Sequence, residues 1–233
     1  MKKLKPIFYY LLLSFTAVVL IIIMIFLKQD TSNTTSFLDK VFVSFAFFAS
    51  CIFGISIAIY PNWWRKNKQS ADHTSNIQTS KKSRLFHGHH PDFNIFRSHV
   101  VIIKNKARCT GCLGLVIGAL VSIFLMILYL ILNFKFPIVM YYLILFFGIV
   151  LLIFVYGEII ISKRSMFFHI LLNCLLILSF FVITISVFEL TKNPIYGAIT
   201  VIFCFLWLDT RIHISNYQHQ RICASCVQEC KSY

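Results

Sequence analysis

Five of the eight cysteines fall into two groups with the spacing of metal-binding or redox-active thiols. In each group two cysteines are separated by two residues, as in Cys109-Thr110-Gly111-Cys112. Both sulfurs of such a C-x-x-C pair can reach one metal ion, and four thiolates suit tetrahedral zinc. We therefore predict a zinc site whose ligands are Cys109, Cys112, Cys223 and Cys226. Cys230 or His89 is the substitute ligand.

Other chemistries fit the same thiols. Four thiolates also hold iron–sulfur clusters, so a cluster is the alternative cofactor. A single pair can be redox active, because Cys109 and Cys112 open a predicted helix, and a helix N-terminus with Arg108 beside it lowers the pKa of a thiol. The remaining alternative is that the thiols share no role. A closed four-thiolate zinc site would be structural and would tie the C-terminal tail to the third helix.

A second group of metal-binding side chains precedes the first cysteine pair. Its members are His87, His89, His90, Asp92 and His99. Imidazole and carboxylate groups at this density can bind a metal ion. The order and spacing of this group differ from those of the metal-binding run in metal-dependent hydrolases, which it resembles only faintly. The alternative interpretation is a solvated turn that ends at Pro91.

Three ionisable residues lie inside or at the end of apolar runs: Glu158, His169 and Asp209. Ionisable groups within a membrane segment are costly and indicate function. Glu158 and His169 are equally far from the basic turn between their helices, so we expect them at similar depth, as a structural pair or a shared site. Asp209 and Arg211 are two residues apart, so they point in different directions on a helix and need other partners.

Transmembrane helices must position these residues. Of the 233 residues, 58% are hydrophobic and 13% are charged, whereas soluble domains carry about 25% charged residues. This composition excludes a disordered chain, a secreted disulfide miniprotein and an ordinary cytosolic enzyme. A helix needs about 20 apolar residues to cross the hydrocarbon core. Six runs predict an all-α, polytopic transmembrane helix bundle, with spans at 7–27, 41–60, 111–132, 137–161, 166–190 and 194–208.

The loop charges predict the orientation of these helices. Eighteen of the 22 Lys and Arg residues lie on the side of the N-terminus, which predicts that both termini are cytoplasmic in a cell membrane. The +14 net charge attracts anionic lipid headgroups, and nothing indicates nucleic acid as a partner. The predicted organisation is two helices in 1–60, a cytoplasmic basic loop with the histidines in 61–110, four helices in 111–210 and a cytoplasmic Cys-rich tail in 211–233.

Nearly all of the candidate chemistry is then expected on the cytoplasmic side. The opposite side has short loops and four lysines, and we expect it to carry no site. A short strand is predicted at 100–103, before a turn at 104–106.

Small residues recur on one stripe of two predicted helices. The second helix has Ala46, Ser50, Gly54 and Ala58, and the third has Gly114, Gly118 and Ser122. Such stripes let helix backbones approach closely in lipid. We expect the second and third helices to pack through these faces, against each other or in a homo-oligomer.

The Arg108-Cys109-Thr110-Gly111 motif leads into Gly114 and Gly118 and follows a His-containing segment. In this it resembles a family of small, uncharacterised prokaryotic membrane proteins with a Cys-x-Arg-Cys-Thr-Gly signature. The resemblance covers about residues 85–125. Lys106 stands where the family has its first Cys, and His87 to His90 replace an upstream Cys-His motif. The resemblance implies a membrane protein with a Cys/His site and leaves the reaction open.

Three hypotheses for the function remain. The first is a membrane module without enzymatic activity that is stabilised by zinc and binds a partner, a lipid or a small solute. The second is an enzyme, either a thiol–disulfide oxidoreductase that uses Cys109 and Cys112 or a metal-dependent hydrolase that uses His87, His89 and Asp92. The third is a transporter of small solutes or ions with Glu158 and His169 as a relay. Broken helices with inverted symmetry, which are typical of transporters, are not evident.

Overall fold

Six long helices and one short hairpin make up the described part of this computed structural model, which comprises residues 4–27, 36–59, 100–103, 106–132, 136–158 and 165–224. The helices are α1 (Leu4–Phe26), α2 (Phe37–Ile59), α3 (Thr110–Leu132), α4 (Ile138–Glu158), α5 (Met166–Thr191) and α6 (Pro194–Ala224). All six are long and apolar enough to cross a membrane. The predicted all-α class with six spans is confirmed, whereas the cytoplasmic placement of the termini stays a prediction.

The main difference from the predicted spans lies in the last helix. α6 continues to Ala224, whereas its apolar run ends near residue 208. Hydropathy marks where the apolar surface ends, but a helix continues until a breaker stops it. No Gly or Pro occurs between Gly197 and Ala224, so nothing in the local sequence breaks the helix.

A two-stranded antiparallel hairpin precedes α3. Strand β1 (Val100–Ile103) pairs with strand β2 (Lys106–Cys109), and Val100 lies opposite Cys109. This confirms the predicted strand. Because β2 runs directly into α3 at Thr110, the ladder fixes the backbone of Cys109 at the helix N-terminus. We call the end of the bundle that carries this hairpin the hairpin end.

The central helix of the bundle is α5, which contacts α1, α3, α4 and α6. Its apolar side chains Leu172, Leu176, Ile183 and Val187 are fully buried. Three of its hydroxyl groups donate to carbonyls of the same helix, as Ser186 does to Val182 at 2.8 Å. Such bonds satisfy polar groups where no water is present.

The glycine stripe of α3 packs against α5. A Cβ atom on Gly114 would overlap the carbonyl oxygen of Ile170 and lie 2.6 Å from Asn173 Cβ. A Cβ atom on Gly118 would lie 2.8 Å from the carbonyl oxygen of Cys174. The two backbones are therefore in direct contact. α2 and α3 do contact each other, but the expectation that they pack through this stripe is wrong at its two glycines, which α5 covers. Packing in a homo-oligomer stays a prediction.

The stripe of small residues on α2 has a different environment. Gly54 has nothing within 4 Å of the position that a Cβ would occupy. Together with Ser50 it lines an apolar groove, whose other walls come from α3, α5 and α6 and include Leu115, Ile177 and Leu208. At Gly54, this face of α2 therefore makes no close backbone contact within the described chain.

Polar contacts join α1 to α6 near the hairpin end. Ser14 Oγ donates to Thr210 Oγ1 at 2.7 Å, and the Trp207 indole donates to the Ser14 carbonyl at 3.1 Å. Tyr156 of α4 donates to the Trp207 carbonyl at 2.7 Å. These bonds fix the position of α6 beside the thiols described below.

Gly114→Ala should destabilise the protein by at least about 1–3 kcal/mol, because its methyl group has no space against α5. The measurement is thermal unfolding in detergent. Gly54→Ala is the matched control, since its methyl group enters open space, and it should leave the unfolding temperature unchanged or slightly raised. Equal destabilisation by the two substitutions would contradict the packing described here.

Candidate functional site

The first cysteine pair lies at the junction between β2 and α3. Cys109 is the last residue of β2 and precedes Thr110, the first residue of α3. The Cys109 sulfur accepts hydrogen bonds from the Cys112 thiol and from the backbone N–H groups of Cys112 and Gly111. Cys109 thus occupies the N-cap position, where Ser, Asp and Asn are usual. Both thiols are free.

These contacts make Cys109 an acidic thiol. The hydrogen bond from the Cys112 thiol, the two backbone donors and the charge of His169 together lower the pKa of Cys109 to about 6, against the opposing effect of burial. A helix N-terminus also favours a negative charge. Cys109 is therefore mainly a thiolate at neutral pH, and a thiolate is the nucleophilic form.

Two polar side chains of α5 lie beside the cysteine pair. A Cβ atom on Gly111 would lie 3.4 Å from His169 Nε2, 3.7 Å from Asn173 Nδ2 and 3.7 Å from Cys109 Sγ. The imidazole and the Cys109 sulfur are therefore no more than about 7 Å apart, since both lie close to one point. The three groups therefore surround the Gly111 position at ordinary contact distances.

A buried arginine of α6 completes the arrangement. Arg211 Nη1 donates to Asn173 Oδ1, and Asn173 Nδ2 donates to the His169 carbonyl oxygen at 2.6 Å. Asn173 is fully buried, and Arg211 is only 6% exposed. We call Cys109, Cys112, His169, Asn173 and Arg211 the thiol centre. Sequence reasoning missed Asn173, although an amide inside an apolar run was a recognisable signal.

The structure leaves most of the other predicted ligands untested. Seven of them lie outside the described residues: His87, His89, His90, Asp92, His99, Cys226 and Cys230. Cys223 and Glu158 belong to α6 and α4, but their side chains lie outside the described part. Among the described residues, no group of three or more His, Cys, Asp and Glu side chains could hold a metal ion.

Asp209 and Arg211 have separate partners, as predicted from their spacing. Asp209 is half-exposed and lies 3.7 Å from His213 Nε2, one turn further along α6. The His213 ring stacks on Tyr10 of α1 at 4.0 Å between centroids. Asp209 therefore belongs to an α1–α6 contact and not to the thiol centre.

A second polar cluster lies at the opposite end of the bundle, where none was expected. Glu189 of α5 is 4% exposed, and its Oε1 lies 3.5 Å from Lys40 Nζ of α2. The Tyr129 hydroxyl of α3 donates to the same carboxylate, which also pairs with Lys192. We call Lys40, Tyr129, Glu189 and Lys192 the Glu189 cluster. The expectation that this side carries no site-like chemistry is wrong.

Two features hold the lysines in the Glu189 cluster. Lys40 Nζ lies 5.2 Å from the centroid of the Tyr129 ring, at the range of a cation–π contact. Lys192 ends α5 in the left-handed conformation with φ 54°, and its N–H donates to the Phe188 carbonyl at 2.8 Å. The cluster joins α2, α3 and α5, so its first role is to fix these helices together.

Cys112→Ala should raise the pKa of Cys109, because the substitution removes the first of its hydrogen-bond donors. Alkylation of Cys109 at pH 7 should slow several-fold, while the rate at pH 10 should stay similar, since the thiolate is then present in both proteins. The measurement is the pH dependence of iodoacetamide labelling at Cys109, read by mass spectrometry. Cys112→Ser keeps a donor and should change the profile less.

Glu189→Leu should destabilise the protein by about 3–5 kcal/mol, because it leaves the buried Lys40 ammonium without its carboxylate. Adding Lys40→Met should recover much of the loss. The measurement is the free energy of unfolding in mixed detergent and SDS micelles. Asp209→Asn, at an exposed carboxylate paired with His213, is the control and should cost at most about 1 kcal/mol. No recovery in the double variant would contradict the pairing.

Comparisons with family models, with curated proteins and with solved structures find no match to this chain. The resemblance to uncharacterised membrane proteins, which depends on the Arg108–Gly111 motif, therefore stays a prediction. The chain has the six apolar helices of a multi-pass integral membrane protein, and its surface accordingly contacts a lipid bilayer.

Proposed function

We propose that the chain is a membrane thiol–disulfide oxidoreductase whose reactive group is the Cys109 thiolate. One observation carries the proposal: the Cys109 sulfur lies at the N-terminus of α3 and accepts hydrogen bonds from the Cys112 thiol and from two backbone amides. Such an arrangement stabilises a thiolate and keeps a second thiol within reach of it. The reaction needs only this pair.

The exchange proceeds in two steps. The Cys109 thiolate attacks one sulfur of a substrate disulfide, forms a mixed disulfide with it and releases the other sulfur as a thiolate. The Cys112 thiol then loses its proton and attacks Cys109 Sγ, which releases the second substrate thiol. The substrate gains two electrons, and the chain ends with a Cys109–Cys112 disulfide. The reverse sequence oxidises a substrate dithiol.

The bundle contributes rigidity and a restricted approach to this pair. The β1–β2 ladder holds the backbone of Cys109, and the contact between Gly114 and α5 holds the first turn of α3. Both thiols are half-buried, so a substrate disulfide approaches from the hairpin end. A fixed nucleophile lowers the entropic cost of reaching the reactive geometry.

Structural zinc is the second candidate. The observation in its favour is that His169 Nε2 and Cys109 Sγ converge near Gly111, and both are zinc-ligand types. The predicted site also needs thiolates from the tail. Because α6 is helical to Ala224, Cys223 lies about 18 Å along the helix axis from Arg211. Ligation by Cys223, Cys226 or Cys230 thus requires the end of α6 to turn back toward the hairpin.

Each of the other hypotheses depends on at least one residue whose side chain lies outside the described part of the chain. They are a metal-dependent hydrolase at His87, His89 and Asp92, and a relay between Glu158 and His169. Both stay predictions.

Cys112→Ser should trap a mixed disulfide at Cys109 when the protein in detergent is treated with oxidised glutathione, because the second step needs the Cys112 thiol. The original protein should instead accumulate the Cys109–Cys112 disulfide, and Cys109→Ser should do neither. The products are identified by peptide mass spectrometry. Cys174→Ser, at a half-buried cysteine in α5, is the matched control and should behave like the original protein.

Metal analysis of the same samples separates the two candidates. About one zinc per chain, lost equally from Cys109→Ser and Cys226→Ser, would replace the redox proposal with the structural one. Failure of Cys112→Ser to form an adduct at Cys109 would also reject the exchange mechanism.

A further inference from the structure

The apolar groove beside α2 lies at the depth of the hydrocarbon layer. Its walls include Gly54 of α2 and Leu115 of α3, and both belong to helical segments that can cross a membrane. The described residues that line it expose no polar atom to the groove. Ser50 belongs to the wall, but its hydroxyl donates to the Ala46 carbonyl of its own helix at 2.8 Å. An occupant of the groove therefore presents hydrocarbon to these walls, because a polar group would find no partner there.

The space beside α2 is unfilled at Gly54. Nothing lies within 4 Å of the position that a Cβ atom on this residue would occupy. The inner wall of the groove is close-packed, since Ala119 and Phe180 are buried. At its edge the Phe205 ring of α6 contacts the Phe53 ring of α2, with 6.2 Å between centroids. There is thus room beside Gly54 for a chain that the described residues do not supply.

On α3 and α5 the groove ends one helical turn from the thiol centre. Leu115 follows Cys112 by three residues, and both lie on one face of α3. Ile177 follows Asn173 by four residues, and both lie on one face of α5. The faces that line the groove therefore continue into the faces that carry the thiol centre.

The third wall leads to the same place. On α6, Leu208 of the groove precedes Arg211 by three residues, which is again one turn. The Arg211 guanidinium donates to Asn173 Oδ1, so α5 and α6 meet at this level. The hairpin end of the groove is therefore directed at the thiol centre.

We propose that the groove binds the hydrocarbon tail of a membrane quinone and places the quinone ring at the thiol centre, where it takes electrons from Cys109 and Cys112. The inference rests on the proposed thiol function and names the electron acceptor of that site. A quinone joins an apolar tail to an uncharged ring, so both parts suit a site below the membrane surface. The hydrocarbon chain of a phospholipid also suits the walls, but its charged headgroup is costly at this depth and accepts no electrons.

One quinone balances one thiol pair. The sulfur–sulfur bond between Cys109 and Cys112 forms, and the S–H bond of Cys112 breaks. The quinone gains the two electrons and takes up the proton of Cys112 and one proton from water, so that its two carbonyl groups become the hydroxyl groups of a quinol. The quinol leaves into the lipid, and the disulfide then oxidises a substrate dithiol by exchange.

The groove contributes position more than affinity. The tail passes from one apolar medium to another, so no hydrophobic driving force favours its entry. Contact with the walls restricts where the tail lies and therefore where the ring lies. A reactant held in place lowers the entropic cost of the reaction. A side chain that fills the groove should therefore slow the reaction of a quinone with a tail.

The experiment mixes the reduced protein in phosphatidylcholine nanodiscs with decylubiquinone. Quinol is measured by ultraviolet absorbance and the Cys109–Cys112 disulfide by peptide mass spectrometry, and the two should form in equal amounts. Gly54→Leu should slow the reaction about tenfold, a barrier increase of about 1.4 kcal/mol, because its side chain occupies the groove. Gly157→Leu is the matched control and should react like the original protein. Gly157 of α4 also has nothing within 4 Å of its Cβ position, and it lies outside the groove.

A quinone without a tail separates an effect on the groove from an effect on the thiols. It reaches Cys109 and Cys112 without occupying the groove, so Gly54→Leu should slow it much less than decylubiquinone. Equal slowing of both quinones would overturn the proposal, because the substitution would then act through the thiols. If Gly54→Leu does not fold, Ser50→Leu on the same wall should slow decylubiquinone selectively, and an unchanged rate in that folded variant overturns the proposal too.

Oxidised glutathione distinguishes failure of this inference from failure of the proposed function. If the original protein forms the Cys109–Cys112 disulfide with glutathione but not with decylubiquinone, the quinone proposal is overturned and the thiol function stands. If neither oxidant forms the disulfide, both are overturned. An unchanged decylubiquinone rate in folded Gly54→Leu would reject the groove as the quinone site and leave it to a phospholipid chain.

Discussion

The contact between the backbones of α3 and α5 is the constraint on which the hairpin end depends. Gly114 lies directly on the carbonyl of Ile170, and no larger residue fits there. Without a hydrophobic driving force between helices in lipid, such close packing is the main source of their association. The same contact brings Gly111 against His169 and Asn173, so the geometry that holds the bundle together also creates the surroundings of the thiols.

The two polar clusters provide partners for buried charged groups in different ways. Each places charged groups inside a protein surrounded by lipid, where hydrogen-bond partners must come from the chain itself. The Glu189 cluster does so with opposite charges from different helices. The thiol centre uses an amide, Asn173, between a guanidinium and a backbone carbonyl. The first arrangement is closed within the bundle, whereas the second leads to a nucleophile at its edge.

Much of the architecture follows from local sequence, and most of the pairings do not. Apolar run length identified six helices, and the position of Cys109 before an apolar run identified the helix N-terminus. Spacing also separated Asp209 from Arg211. The glycine stripe of α3 predicted a packing face but not which helix covers it, because any helix can pack against such a face. Glu189 had a visible signal, a carboxylate three residues before Lys192, but Lys40 and Tyr129 join it only through tertiary packing.

The spacing of charged groups along α5 relates the protein to the thickness of its membrane. His169 and Glu189 are twenty residues apart on one helix, which is about 30 Å, and the hydrocarbon layer of an ordinary bilayer is also about 30 Å thick. The spacing of the two clusters therefore matches the thickness of that layer. In a thicker membrane, lipid chains would cover one of them unless the bilayer thinned locally, and in a thinner one α5 would have to tilt. A change in membrane thickness would thus bear on both sets of charges.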